Sequence, residues 1–459
     1  MYTFQDFVAD AEKKGDAFAV GAAINQYRRT ADFKIAQDAD LYDHQKNKTI
    51  MDYVKIIYRM TGEAVEDFTA SNNKIASNFF HRLNTQRVNY LLGNGMTFSK
   101  DNNVKDQLGV KIDTAVKNLA YYALIHGVSF GFWNVDGLHI FKVTEFVPLW
   151  DEETGALRAG VRFWQIDKQK PMYAVLYEED GITKYKASVT DGKFEEIQPK
   201  RAYRLTVRVS NADGEEVIGE ENYGSLPIIP LWGSSLKQST LIGMRGAIDS
   251  YDLIRSGFAN DLTDCAMIYW IVGNAGGMTD SDLAQFRDRI KLQHIATVDT
   301  ENSSVVPYTQ DIPYSAREAY LNAIRAGIYE DYGGLDVHTI AAGATNDHID
   351  AAYQPVDEEA DDFEFQILEF FDHLFELLGL DTENVPVFHR NRISNQNEQT
   401  QMVLSAGEYL DEETVLQKLP FITVDEVQDI LDKKIREVED RFSGEDNTEE
   451  IPEEGDVNG

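Results

Sequence analysis

The chain has 459 residues, 43% hydrophobic and 11% aromatic, enough to bury a sizeable core and to predict two or more packed regions rather than one domain. A single cysteine, Cys265, excludes an internal disulfide framework; a charged start and the lack of any apolar run of about 18 residues predict a soluble, intracellular protein with no membrane span. Lys and Arg total 43 against 78 Asp and Glu, a formal charge of −35, which argues against gripping phosphate and suits either a plain acidic protein or one that stands beside nucleic acid without adhering to it.

The helix period opens the chain. In LYDHQKNKTIMDYVKIIYRMTGEAV, residues Ile50, Tyr53, Ile56, Ile57 and Met60 recur at helix-face spacing. In KIASNFFHRLNTQRVNYLLG the set Ile75, Phe79, Phe80, Leu83, Val88, Leu91 and Leu92 does the same before Gly93. DTAVKNLAYYALIHG follows, with Asp113 as the expected N-cap and Gly127 as the stop. From 128 to 232 the pattern becomes short aromatic and β-branched runs parted by DG, GK and NADG turns, which predicts an antiparallel β-rich region.

Helices return at 241. Leu241, Met244, Ile248, Tyr251, Ile254, Phe258, Leu262, Cys265 and Tyr269 form a stripe that predicts one helix over 241–272, about 48 Å long. GNAGG breaks it. A short helix from Ser281 to Lys291 and the strand-like HIATVD and SSVVPY fill a compact insert. A second long helix opens behind Pro313 at an S-x-x-E capping box, Ser315 and Glu318, and closes at Gly333-Gly334. Then comes LDVHTIAAGATNDHIDAAYQP, in which small uncharged residues from Ile340 to Thr345 lie between His338 and His348.

VDEEADDFEFQILEFFDHLFELLGL predicts a long amphipathic helix with acids massed in its first turn and Pro355 at its start or kink. SNQNEQTQMVLSAGEYL and TVDEVQDILDKKIREVEDRF predict two more helices, and the acidic tail predicts disorder. No H-E-x-x-H or C-x-x-C spacing occurs, and GNAGG lacks the Lys-Ser/Thr of a phosphate loop. The acids Asp357, Glu358, Glu359, Asp361 and Asp362 suit a solvated helix start better than a divalent-cation site. Cys265 reads as a core residue. No catalytic residue, metal or cofactor is expected.

SNNKIASNFFHRLNTQRVNYLLGNGMTF, residues 71–98, resembles the portal proteins of tailed bacteriophages, in the family typical of long-tailed phages of Gram-positive bacteria. Asn72, Asn73, Ile75, Asn78, Phe79, Phe80, Gln86, Tyr90, Leu91, Leu92 and Gly93 carry the likeness, and the order of elements extends it over roughly 40–442. The resemblance implies an α+β, mainly helical portal fold of wing, stem, clip and crown, its subunits assembled as a ring of twelve around a central channel. The wing would span 1–240 (β-rich over 128–232) with a long wing helix over 351–385. The first stem helix would be 241–272, the clip 273–312, the second stem helix 313–334, the tunnel loop 335–350, the crown 386–442 and a disordered acidic tail 443–459.

The same resemblance implies a virion protein, not an enzyme, assembled in the host cytoplasm at one capsid vertex. Double-stranded DNA would pass through it without sequence specificity during packaging and ejection. Its other partners would be the terminase large subunit, the major capsid and scaffolding proteins and a head-completion or adaptor protein. His338, Thr339, Ile340, Ala341, Ala342, Gly343, Ala344, Thr345, Asn346, Asp347 and His348 would line the channel. Thr279, Asp282, Arg287, Arg289 and Lys291 would carry docking at the clip. Relatives have a Ser-Gly-x-Ala stretch where this chain has GATNDHIDAAYQP, so the loop's limits stay open. Two alternatives stand beside this: an acidic metal-dependent hydrolase using the Asp357–Asp362 run, and a ring-forming scaffold without DNA passage.

Overall fold

The structure, a computed structural model, describes all residues except 1, 59–61, 68–70, 136, 211–213, 266–268, 274–278, 280, 282–284, 286–303, 309–313, 341–344, 393–395, 408, 420–426, 428–429, 432, 435 and 437–459. Contacts divide the chain into two units: 1–334 with 355–391, and 335–354 with 392–459.

In the first unit, α1 (Phe4–Lys14), α2 (Asp16–Tyr27) and α3 (Ala31–Asp43) lead. Thr3 and Asp6 cap α1 reciprocally. After one turn, α4 (Lys48–Met51), the chain forms a hairpin, β1 (Ile56–Tyr58) with β2 (Ala64–Glu66). The long helix expected across this stretch is therefore absent. Tyr53, Ile56 and Tyr58 remain exposed, so the helix-face spacing has no core to bury against and the β-branched run pairs instead.

The expected helix of the 71–98 motif starts at Phe79: α5 is Phe79–Leu92, followed by β3 (Met96–Phe98), α6 (Val104–Leu108) and α7 (Ile112–His126). Asp113 does not cap α7; Lys111 holds that position. The Asp113 carboxylate instead accepts from Lys105 Nζ at 2.8 Å and from the Met96 amide at 3.4 Å. Gly127 ends α7 in the left-handed region, as expected.

The β-rich region forms as predicted. Its strands are β4 (Val128–Asn134), β5 (Gly137–Lys142), β6 (Phe146–Trp150), β7 (Leu157–Trp164), β8 (Tyr173–Glu178), β9 (Gly181–Ala187), β10 (Phe194–Arg201), β11 (Arg204–Ser210), β12 (Gly214–Glu221) and β13 (Ile228–Trp232). They make a five-stranded antiparallel sheet in the order β10-β9-β8-β7-β6, a three-stranded sheet β13-β4-β5 and the pair β11-β12. Val161, Phe163, Ala174, Leu176 and Tyr185 of the large sheet share a core with Val20, Ile24 and Phe33 of the leading helices. On its other face Tyr177 meets Phe132 and Phe141 of the small sheet at ring-centroid distances of 5.0 and 5.4 Å.

Next come α8 (Leu241–Cys265), β14 (Tyr269–Gly273), β15 (Ser304–Tyr308) and α9 (Tyr314–Tyr332). The helix predicted to residue 272 has given way to strand by Tyr269, because YWIVG is β-branched and aromatic and pairs antiparallel with SVVPY. The expected strand in HIATVD and nearly all of the helix expected over 281–291 lie outside the described residues. Ser315 falls inside the first turn of α9 and is not its cap.

The long helix, α10, is Asn346–Leu378, longer at its start and shorter at its end than expected, with Pro355 inside it where the two units divide. Only Asp347 occupies its first turn, so the acid run from Asp357 sits mid-helix. Its buried Phe363, Ile367, Phe370, Phe371, Leu374 and Phe375 pack with α7 and the small sheet. β16 (Pro386–Phe388) pairs with β3. In the second unit, Val337–Thr339 make a 3-10 turn, followed later by α11 (Gln396–Ala406) and α12 (Glu412–Lys418), the latter capped by Asp411 and not foreseen. Most of the helix expected from Thr423 and the whole acidic tail lie outside the described residues. Among the described residues no helix is long and apolar enough to cross a membrane.

Candidate functional site

Helices α8 and α9 form an antiparallel two-helix arm. Ser250 faces Tyr320 (3.4 Å between hydroxyls), and Phe258 meets Tyr314 at 5.5 Å between rings. Arg317 pairs with Asp261 and lies over the Phe258 ring. At 1.5 Å per residue the 25 residues of α8 reach about 37 Å. The β14–β15 pair joins the outgoing and returning chains.

At its root the arm is held by an apolar cluster: Leu241, Met244, Ile248, Ile328, Tyr329 and Tyr332 against Tyr42, Phe79, Phe80, Leu83 and Ile125. Phe79 touches both helices, with Tyr251 at 5.0 Å and Tyr329 at 6.1 Å. Polar bonds fix the register. Tyr332 donates to Asn84 Oδ1 at 2.9 Å, Thr240 donates to the same oxygen at 3.0 Å, and Arg87 donates to the Tyr332 carbonyl at 2.6 Å. Burial pushes the Tyr332 phenol up to about 12, so it stays a donor. Arg245 pairs with Asp38 at 2.9 Å, and Asp249 accepts from Thr49 at 2.7 Å and from Tyr42.

Farther along, a polar ladder replaces the apolar cluster. Segment 71–78 is itself neither helix nor strand, yet every second amide from Asn73 donates to α8: Ser77 to Asp252 (2.9 Å), Ile75 to Ser256 (3.0 Å) and Asn73 to Asn260 (2.6 Å). Two residues of extended chain advance about 6.6 Å and four of helix about 6 Å, so the two repeats keep step. Asn47 also donates to Asp252 and to the Ser77 carbonyl (3.0 Å). Asp252 is fully buried, and burial raises its carboxyl above the ordinary range against the pull of those donors. The asparagine-rich motif at 72–80 is thus a strap that lashes the arm to the body. Asp252, Ser256 and Asn260 were missed in the sequence, although polar residues at i, i+4 and i+8 beside an apolar stripe were the available signal.

The apolar stripe read from the sequence is buried at the root but not along the arm. Leu241, Met244 and Ile248 are buried, Tyr251, Ile254 and Phe258 half-buried, and Leu262 is 54% exposed.

In the second unit, Asp336 caps the turn through His338 (3.1 Å to its amide). His338 and Thr345 are exposed, Ile340 is half-buried, and Ala341, Ala342, Gly343 and Ala344 lie outside the described residues. Asn346, Asp347 and His348 belong to α10, which shortens the expected loop to 340–345. Of the expected clip residues, Thr279 is exposed; Asp282, Arg287, Arg289 and Lys291 lie outside the described residues.

The acid run on α10 is matched by arginines. Arg390 pairs with Asp357 (2.8 Å), Glu364 (3.1 Å) and Asp361, Tyr90 donates to Asp357 at 2.5 Å, and Arg87 pairs with Glu359 at 3.0 Å. Among the described residues no three of His, Cys, Asp or Glu gather where they could hold a metal ion.

Residues 33–440 match the family model described as phage portal protein, SPP1 Gp6-like. The chain is 24% identical over 395 residues to the portal protein of Clostridium phage phiCD119, covering 78% of this chain and 83% of that one. It is 24% identical over 404 residues to the portal protein of Bacillus phage SPP1, covering 80% and 76%. A chain from the neck of a native gene transfer agent particle aligns at TM-score 0.40 and 10% identity over 74% of this chain and 89% of that one, too slight a likeness to argue from.

Proposed function

Since the chain belongs to the SPP1 Gp6-like family of phage portal proteins, the head-to-tail connectors of the virion, we propose that twelve copies close a ring at one capsid vertex and that the genome passes through it. In this reading α8 and α9 are the stem that walls the channel. The β14–β15 pair and the insert beyond it are the clip that receives the terminase motor and later a head-completion protein. The loop 340–345 is the constriction, and the helices after residue 392 form the crown.

The observation that carries the reading is the arm: two helices anchored at one end by a core and a strap, with a stripe that a single copy leaves half-covered. Neighbouring arms would cover it. A duplex carries one charge per roughly 1.7 Å of axis, so a constriction lined with arginines would hold it fast. Ile340 to Thr345 offer small uncharged surface instead, and a net charge of −35 per copy repels the polymer from the wall. No step of chemistry is asked of the chain; a separate motor supplies the energy.

Deleting Ile340–Thr345 tests the assignment in a packaging assay. Rings should still form while packaging fails. Packaging at normal yield would remove the loop from the channel.

A further inference from the structure

The five-stranded sheet is covered unevenly. One face lies against the leading helices, and the other meets the small sheet at the end that holds Tyr177, Phe146 and Arg162. Toward the other end the cross-strand row Trp164–Tyr173–Lys186 runs out to solvent, with Glu195 completing it on the edge strand. Trp164 stacks on Tyr173 at 5.9 Å, Lys186 sits over the Tyr173 ring and Arg162 lies over Trp164. Just past this strand Ile166 is 87% exposed. Between residues 157 and 201 Lys and Arg outnumber Asp and Glu, in a chain whose total is −35.

Helix α10 carries the opposite pattern. From 355 to 378 it has nine acids and no Lys or Arg. Its exposed line runs through Glu358, Asp361, Phe365, Glu369, Asp372 and Glu376, and Phe365 is 67% exposed in the middle of it. An aromatic standing alone among acids fits a basic, aromatic partner. Within one chain the two patches lie apart. Leu157, at the other end of β7, shares a cavity wall with Glu369 and His373, and Trp164 is about 23 Å farther down that strand.

We propose that the Trp164–Tyr173–Lys186 face of one copy docks on the Phe365 acidic stripe of the next. The inference rests on the ring reading and names the contact that reading leaves open. A ring of identical copies needs two different, mutually complementary faces on each subunit. Copies that each carry −35 repel, so closure requires local charge matching at the joint.

The test uses the full-length chain, with sedimentation velocity and negative-stain images as readouts and circular dichroism confirming helix content. Lys184→Glu with Lys186→Glu, and Glu369→Lys with Asp372→Lys, should each lower the ring fraction roughly tenfold at physiological salt, and mixing the two variants or combining all four changes should restore it. Lys186→Cys with Phe365→Cys, in a Cys265→Ser background, should give disulfide-linked ladders that neither single cysteine gives. Rings from both charge variants at wild-type yield, or loss without rescue and no ladder, would overturn the pairing and leave the ring reading standing. Absence of rings from the unaltered chain at any salt would bring down the ring reading, and the pairing with it.

Discussion

The backbone amide of Ser77 donates to the buried Asp252 carboxylate at 2.9 Å, tying the 71–78 strap to the arm where the root core gives way to polar contacts. Asp252→Ala leaves that amide without its acceptor and the Asn47 side chain with the Ser77 carbonyl alone. The variant should lose about 1–3 kcal/mol of unfolding free energy. Its denaturant midpoint measures the loss.

The same carboxyl predicts a pH dependence. Burial raises its folded-state pKa above the ordinary 3.8, so the folded chain holds the proton to higher pH than the unfolded chain does. Its stabilising contribution is complete below the ordinary value and is lost as pH rises through the raised one. Measured against Asp252→Asn, the wild type should therefore be relatively more stable near pH 4 than at pH 7. Melting temperatures of the pair at both values check the sign.

Ser256→Ala and Asn260→Ala each remove one rung. Amide exchange should quicken by up to about tenfold at Ile75 in the first variant and at Asn73 in the second, with little change in α5. Residue-resolved hydrogen exchange reads this directly. Equal loss of protection throughout the chain would mean the ladder does not act locally.

Gly127 has φ of +88°, and a Cβ there would stand 2.7 Å from the backbone of Gln238 and Ser239. That stretch leads into α8, and the Thr240 amide bonds to the Leu124 carbonyl at 3.1 Å. Gly127→Ala combines a strained conformation with a backbone clash, so it should cost more than about 1 kcal/mol and loosen the arm's root. Thermal unfolding tests it.

Arg390 gathers Asp357, Asp361 and Glu364 on successive turns of α10. Arg390→Ala leaves those acids facing one another; Arg390→Lys keeps the charge but loses the fork that reaches all three. Both should lower stability, alanine more, and the gap should shrink at high salt. Unfolding at two ionic strengths separates the charge from the geometry.

Much of this was legible in the sequence. Gly127, the β-rich region and the close of α9 before Gly333 follow from local rules that tertiary contacts do not override. The misread pieces share a cause. The stretch through Tyr53 and Ile56, and the YWIVG end of the first arm helix, carry helix-compatible spacing on β-branched residues, and only the available partners decided for strands. Pro355, read as the start or a kink of the long helix, lies inside α10. The strap could not be read from periodicity, because its alternating amides are backbone and their acceptors lie some 180 residues away.

In the proposed ring, copies of this chain surround an axis with the arm helices and the 340–345 loop on the inside. A symmetry-averaged electron cryomicroscopy map of the purified protein tests it most directly. The expected map is a closed ring in which Leu241–Cys265 walls the lumen and the loop marks its narrowest point. Density placing that loop on the outer rim, or particles with no rotational symmetry, would contradict it.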